Sequence, residues 1–114
     1  MRDLIFGVLL FTIGQALIWY QTNGQFVWKS FKENPFWLAF GFGTLISYIL
    51  IYATRFTVQY FDGVLWPGRF IAFGAGIIVY AILTWFYLGE GINIKTLVSL
   101  ALAGILIAVQ IFWK

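Results

Sequence analysis

The polar side chains that could do chemistry in this chain are few, and they lie within long apolar stretches. Thr12 and Gln15 are three residues apart, so they share one face of a helix, and Trp19 extends that face. An amide without a partner in hydrocarbon costs several kcal/mol, so this face must point to protein or to a water-filled cavity. The pattern predicts either a substrate-lining stripe or an interhelical hydrogen bond.

A second candidate group is aromatic. Tyr48 and Tyr52 lie one helical turn apart in the second apolar stretch, and aromatic faces bind hydrophobic or cationic ligands by stacking and cation–π contact. Phe, Trp and Tyr make up 22% of the chain, so packing or lipid contact explains such a pair equally well. The predicted substrate path consists of Thr12, Gln15, Trp19 and Tyr48.

Catalytic and metal chemistry is not indicated. The chain has no His and no Cys, which removes the commonest metal ligand, the usual general base at neutral pH and every thiolate. Its serines have no His to act as their base, and no glycine-rich loop follows a predicted strand. The sequence therefore predicts a protein that is not an enzyme and that holds no metal and no cofactor.

The composition identifies the elements that must position these residues. The 114 residues are 62% hydrophobic and only 10% charged, with a mean hydropathy of +0.92, whereas soluble domains are about 45–50% apolar and about 25% charged. At about 20 residues per span, the chain is predicted to be a single-domain, all-α integral membrane protein, a four-transmembrane-helix bundle. The predicted spans are 4–20, 36–54, 68–88 and 94–113, with an interfacial segment at 21–35.

The charges are dispersed along the chain, which argues against a nucleic-acid partner. Four spans place four cations on one side of the membrane and three on the other, so the positive-inside bias is weak and both a fixed and a dual orientation stay open. The four are Arg2, Arg55, Arg69 and Lys114, and the three are Lys29, Lys32 and Lys95. Arg69, Lys29 and Lys32 are the candidate contacts for membrane lipid headgroups or an anionic substrate.

The last two spans resemble a known family. The chain reads GAGIIVYAILTWFYLGEGIN over residues 74–93 and ALAGILIAV over residues 101–109. This resembles the small multidrug resistance proteins, the four-helix branch of the drug/metabolite transporter superfamily. The shared features are a Gly-x-Gly, a Trp nine residues after its second Gly, a Leu-Gly-Glu ending and an Ala-Gly-aliphatic fourth helix. The resemblance is clearest over residues 74–113.

The resemblance implies roles for two pairs of small residues. Gly74 and Gly76 would flex the third helix during alternating access. Gly104 and Ala108 would face a partner copy in a homodimer, and their small-xxx-small spacing permits close helix approach. Tight packing within one chain is the alternative for both pairs.

The chain departs from the family in its first helix. The acidic residue of that helix, for which proton and cationic substrate compete, is replaced here by Thr12 or Gln15, and neither side chain ionises. No predicted span contains an Asp or Glu. The family's proton-coupled antiport of lipophilic cations is therefore not expected.

Three functions remain open from the sequence. The resemblance implies a transporter for a small hydrophobic or weakly polar molecule, working by alternating access as a homodimer in the bacterial inner membrane. A noncatalytic accessory or structural subunit of a larger membrane complex is the main alternative. A third is a lipid-carrier flippase component, in which Arg69 or the segment 29–32 would meet a phosphate.

Overall fold

The computed structural model describes residues 1–113, so the predicted role of Lys114 at the end of the last span lies outside the described residues. Within that part of the chain there are five α-helices, one short 3₁₀ turn at Gly24–Phe26, and no strand. The helices are α1 (Arg2–Asn23), α2 (Lys29–Glu33), α3 (Pro35–Tyr60), α4 (Trp66–Leu88) and α5 (Ile94–Phe112). The all-α prediction is confirmed.

The four long helices are apolar enough to cross a membrane, with mean hydropathies from 1.6 to 2.1. The protein is therefore a multi-pass membrane protein with a bundle of four membrane-spanning helices. The second of these helices, α3, continues six residues beyond the predicted limit at residue 54. Its 26 residues extend about 39 Å at 1.5 Å per residue, more than the roughly 30 Å of a hydrocarbon core. Arg55 therefore lies towards the membrane border.

The bundle is flattened, and α1 lies at its centre. α1 packs against α3 on one side and α4 on the other, while α5 packs mainly against α4. The Cα atoms span 47 × 36 × 18 Å, so the order across the molecule is α3, α1, α4, α5. The core contains Phe11 of α1, Ala53 of α3, and Ile71 and Ala72 of α4.

Glycines allow the closest of these helix contacts, around Thr57 of α3. This side chain is fully buried, and its hydroxyl donates to the carbonyl oxygens of Ala53 and Thr54. A Cβ added at Gly7 of α1 would lie 2.5 Å from the Thr57 methyl, and one added at Gly68 of α4 would lie 2.6 Å from its hydroxyl. Three helices thus meet at one threonine because two of them present no side chain there.

One tight turn and two helix caps set where the last helices begin and end. Asp62 and Gly63 have positive φ angles of 56° and 89° and reverse the chain between α3 and α4. Gly89 ends α4 with a φ of 68°, and its N–H donates to the carbonyl of Trp85. Asn93 caps the start of α5, and its side chain accepts a 2.8 Å hydrogen bond from the Thr96 N–H.

The helix directions define two sides of the membrane. The Arg69 side holds the start of α1, the end of α3, the start of α4 and the end of α5, and the Glu90 side holds the opposite ends. In residues 1–113, each side carries three cations: Arg2, Arg55 and Arg69 on the first, and Lys29, Lys32 and Lys95 on the second. Neither orientation is favoured by this balance.

Candidate functional site

A long groove lies between α4 and α5, with α1 at its back. Its volume is about 690 Å³, and its lining runs from Trp66 and Arg69 at one end to Glu90 at the other. The stretch of α4 from Trp66 to Thr84 is about 27 Å long at 1.5 Å per residue, close to the roughly 30 Å thickness of a hydrocarbon core. The groove therefore runs along the membrane-spanning direction and approaches both sides.

One face of α4 forms most of the wall. The lining residues of α4 recur at intervals of three and four, so they follow a single stripe along the helix. They include Arg69, Phe73, Gly76, Tyr80 and Thr84. Phe73 and Tyr80 remain exposed in the single chain, so the groove opens sideways towards lipid or towards a neighbouring chain.

Gln15 supplies the polar group at mid-depth. Its amide oxygen would lie 2.8 Å from a Cβ at Gly76, so the missing side chain of Gly76 makes room for the amide. Gly76 lies near the middle of α4, which places the amide close to the membrane centre. Among the described residues, Gln15 has no side-chain hydrogen-bond partner, and it lines the groove. Its amide is therefore available to a ligand or to water there.

Trp19 fixes the position of α1 against α4 behind this wall. Its side chain is 2% exposed, and its indole N–H donates a 2.9 Å hydrogen bond to the hydroxyl of Thr84, which lines the groove. Nearby, the hydroxyls of Tyr20 and Tyr87 are 3.0 Å apart, and the Tyr87 ring stacks on Trp19 at 5.5 Å. Trp28 also contacts Tyr87, so the interfacial segment is anchored to the same aromatic cluster.

Thr84→Val is expected to destabilise the bundle modestly, because it leaves the Trp19 indole N–H without its acceptor. Interhelical hydrogen bonds of this kind are worth about 0.6 to 2 kcal/mol in membranes. Reversible unfolding in mixed micelles, followed by helical circular dichroism, measures the change. Thr84→Ser retains the hydroxyl and is the control, and equal stability of the two variants would contradict the assigned role of the bond.

The other members of the predicted path lie in different places. The Thr12 hydroxyl donates to the Val8 carbonyl within α1, and Thr12 does not line the groove. Tyr48 is 62% exposed on α3, where it contacts Tyr52, whose ring lies 4.8 Å from the Arg55 guanidinium carbon. Of the four residues, the structure places only Gln15 in the groove, with Trp19 behind it.

The two predicted hinge glycines are packed against side chains, whereas the two predicted interface residues are exposed. α4 is continuous through Gly74 and Gly76, and each glycine accommodates a side chain, Ile107 at Gly74 and Gln15 at Gly76. By contrast, Gly104 and Ala108 lie on the exposed face of α5, and a Cβ at Gly104 would meet nothing within 4 Å. That face is open to a partner.

The predicted headgroup contacts lie on opposite sides. Lys29 and Lys32 are exposed on α2, on the Glu90 side, and Lys29 lies 3.7 Å from Glu33. Both partners are exposed, so this ion pair contributes little to stability. Arg69 is exposed on the other side and is the member of the three that lines the groove.

Sequence reasoning missed Thr84, Tyr80 and Glu90. Thr84 is the only hydroxyl-bearing aliphatic residue in α4, so its isolation within an apolar helix is a signal that could have identified it. Tyr80 and Glu90 carry no such signal, because only the packing of α5 shows which face of α4 lines a groove. No protein-family model, curated protein or solved structure matches the chain.

Proposed function

We propose that the protein transports a small hydrophobic or weakly polar solute across the membrane, with the α4–α5 groove as its path. The observation that carries the proposal is the position of the Gln15 amide, which faces this groove near mid-membrane. A polar group in hydrocarbon is expensive and commonly marks a substrate path. The resemblance of residues 74–113 to the small multidrug resistance proteins supports the same function and a location in the bacterial inner membrane.

Each part of the groove has a defined task in this proposal. Phe73 and Tyr80 provide apolar contact area, and Gln15 offers one hydrogen-bond donor group and one acceptor to a solute at the membrane centre. The wall between Arg69 and Glu90 contains no ionisable group other than the Tyr80 phenol. We therefore propose that transport is not coupled to the protonation of a carboxylate in the protein. Gly74 and Gly76 allow α4 and its neighbours to shift during alternating access.

The transport assay compares vesicles with and without the purified protein. The probes are glycerol, octanoate and ethidium, which are neutral, anionic and cationic respectively. We expect protein-dependent flux of glycerol or octanoate, and no ethidium movement driven by a pH gradient, because the spans contain no acid. The proposal fails if none of the probes moves faster than in empty vesicles while circular dichroism shows that the protein is helical.

A second copy is proposed to cover the open side of the groove. The most apolar segment of α5 is only 6% buried in the single chain, and its outer face presents Gly104 and Ala108. Such small residues allow close helix approach. A homodimer through this face follows from the resemblance and turns a surface groove into an enclosed path.

Gly104→Cys is expected to form an intermolecular disulfide under mild oxidation. The chain has no other cysteine, and Gly104 lies near the middle of α5, so it meets its counterpart in both parallel and antiparallel dimers. Gly41→Cys, at an equally open glycine of α3, is the matched control and should stay monomeric. Non-reducing gel electrophoresis separates the products.

The mass of the particle extracted from native membranes distinguishes a homodimeric transporter from an accessory subunit of a larger complex. A particle of twice 13.1 kDa supports the homodimer. A larger particle that contains other chains would favour the accessory-subunit alternative.

A further inference from the structure

We infer that the groove binds single-chain carboxylic acids, with the carboxylate at Arg69 and the hydrocarbon chain along α4. The inference rests on the proposed function in one respect, since it takes the groove as the ligand path and names the ligand class. Four features of the groove support this ligand class: the charge at its two ends, the apolar wall between them, its volume, and the Gln15 amide at mid-depth.

The two ends of the groove differ in charge. Arg69 lines one end and is exposed, and within residues 1–113 no Asp or Glu side chain forms an ion pair with it. A guanidinium presents paired N–H donors that match a carboxylate. Glu90 lines the other end and repels an anion there. An acidic amphiphile therefore has one favoured orientation, with its head on the Arg69 side.

The wall between these ends suits a hydrocarbon chain. From Arg69 to Thr84 the groove follows α4 for about 22 Å, past residues such as Phe73, Ile77, Tyr80 and Leu100. The volume of about 690 Å³ is that of a site for one drug-sized ligand. We therefore assign a ligand with one chain rather than a two-chain phospholipid.

The Gln15 amide favours passage of the ligand's carboxyl group in its neutral, protonated form. No described residue places a positive charge at the middle of the groove, so an ionised carboxylate loses its partner when it leaves Arg69. A neutral carboxyl group has one O–H donor and one carbonyl acceptor, which pair with the amide oxygen and amide N–H of Gln15. The head therefore takes up a proton from water on leaving Arg69, passes Gln15 as the neutral acid, and returns the proton to water on the other side.

Photolabelling in phosphatidylcholine vesicles tests the inference. The probe is a palmitic acid analogue with a diazirine in its chain, and the control probe has the same chain with an uncharged hydroxyl head. We expect the acid to label groove residues of α4 and α5, Phe73, Tyr80 and Leu100 among them, and unlabelled palmitate to compete. We expect the alcohol probe to label these positions much less, because its hydroxyl head forms no charge-assisted hydrogen bond with Arg69.

Variants at two arginines of the same side make the test specific. Arg69→Gln should weaken the apparent affinity of the acid about tenfold, the order expected for loss of a charge-assisted hydrogen bond, and Arg69→Lys should retain part of it. Arg55→Gln is the matched control, because Arg55 is also exposed on the Arg69 side but does not line the groove. Equal effects of Arg69→Gln and Arg55→Gln would overturn the inference, as would equal labelling by both probes.

The outcomes also separate this inference from the transport proposal. Glycerol flux without acid-specific labelling overturns the ligand class and leaves transport standing. Labelling of the groove that depends on Arg69, without flux of any probe, supports the binding site and rejects transport.

Discussion

Gly7→Ala is expected to destabilise the fold by about 1–3 kcal/mol, the usual cost of overpacking a close contact. The new Cβ would lie 2.5 Å from the Thr57 methyl and 3.3 Å from the Thr57 backbone nitrogen. Thr57 cannot turn away easily, because its hydroxyl is bonded to two carbonyl oxygens of its own helix. Reversible unfolding in mixed micelles, followed by circular dichroism, measures the loss.

Second-site variants show whether the contact with Thr57 causes the loss of stability in Gly7→Ala. Thr57→Ser removes the methyl and should restore most of the stability lost in Gly7→Ala, while the 3.3 Å contact with the Thr57 backbone nitrogen remains. The same change should not rescue Gly68→Ala, whose Cβ would meet the hydroxyl at 2.6 Å, whereas Thr57→Ala should rescue that variant. Gly41→Ala is the control, since its Cβ meets nothing within 4 Å. A loss of stability at Gly41→Ala equal to that at Gly7→Ala would contradict this account of the packing.

Gln15→Leu is expected to reduce solute flux about tenfold or more while leaving the fold intact. The substitution removes the amide that faces the groove near mid-membrane, and loss of a well-made hydrogen bond to a polar ligand weakens binding by roughly that factor. Leucine is favourable in hydrocarbon, so the stability of the protein should not fall. Flux of glycerol and octanoate in vesicles, together with the unfolding midpoint of the same preparation, measures both quantities.

Thr12→Val is the matched control for this variant. Thr12 lies one turn earlier on α1, but its hydroxyl bonds to the Val8 carbonyl and does not reach the groove. Its flux should equal that of the unchanged protein. Equal losses in Gln15→Leu and Thr12→Val would show that the polarity of α1 in general, and not the groove, governs transport.

The helices could be predicted from the sequence because each one is a long apolar run ended by a turn signal. The predicted end of the third span at residue 88 and the predicted start of the fourth at residue 94 agree with α4 and α5, which Gly89 and Asn93 cap. The end of α3 was harder to place, since Arg55 and the polar residues after it continue the helix at the membrane border, where charged side chains are tolerated. Hydropathy locates the hydrocarbon core more closely than it locates a helix end.

The groove could be predicted only in part. The position of Gln15 is predictable from the sequence, because an amide in hydrocarbon must face protein or water. Thr12 shares its face but satisfies its own hydroxyl within the helix, which spacing alone does not reveal. Tyr48 lies on α3, which packs on the far side of α1 from the groove. The order in which the helices pack determines which residues line the groove, and this order cannot be derived from a single sequence.

The contact between Gly74 and Ile107 is a point of close approach between α4 and α5. α5 packs mainly against α4, and the Ile107 side chain fits where Gly74 has no Cβ. The loop that joins the two helices contains Gly89 and Gly91, neither of which has a neighbour that a Cβ would meet within 4 Å. A tilt of α5 about this contact would widen the space between α4 and α5 at one membrane surface and narrow it at the other, which is the change that the proposed alternating access requires.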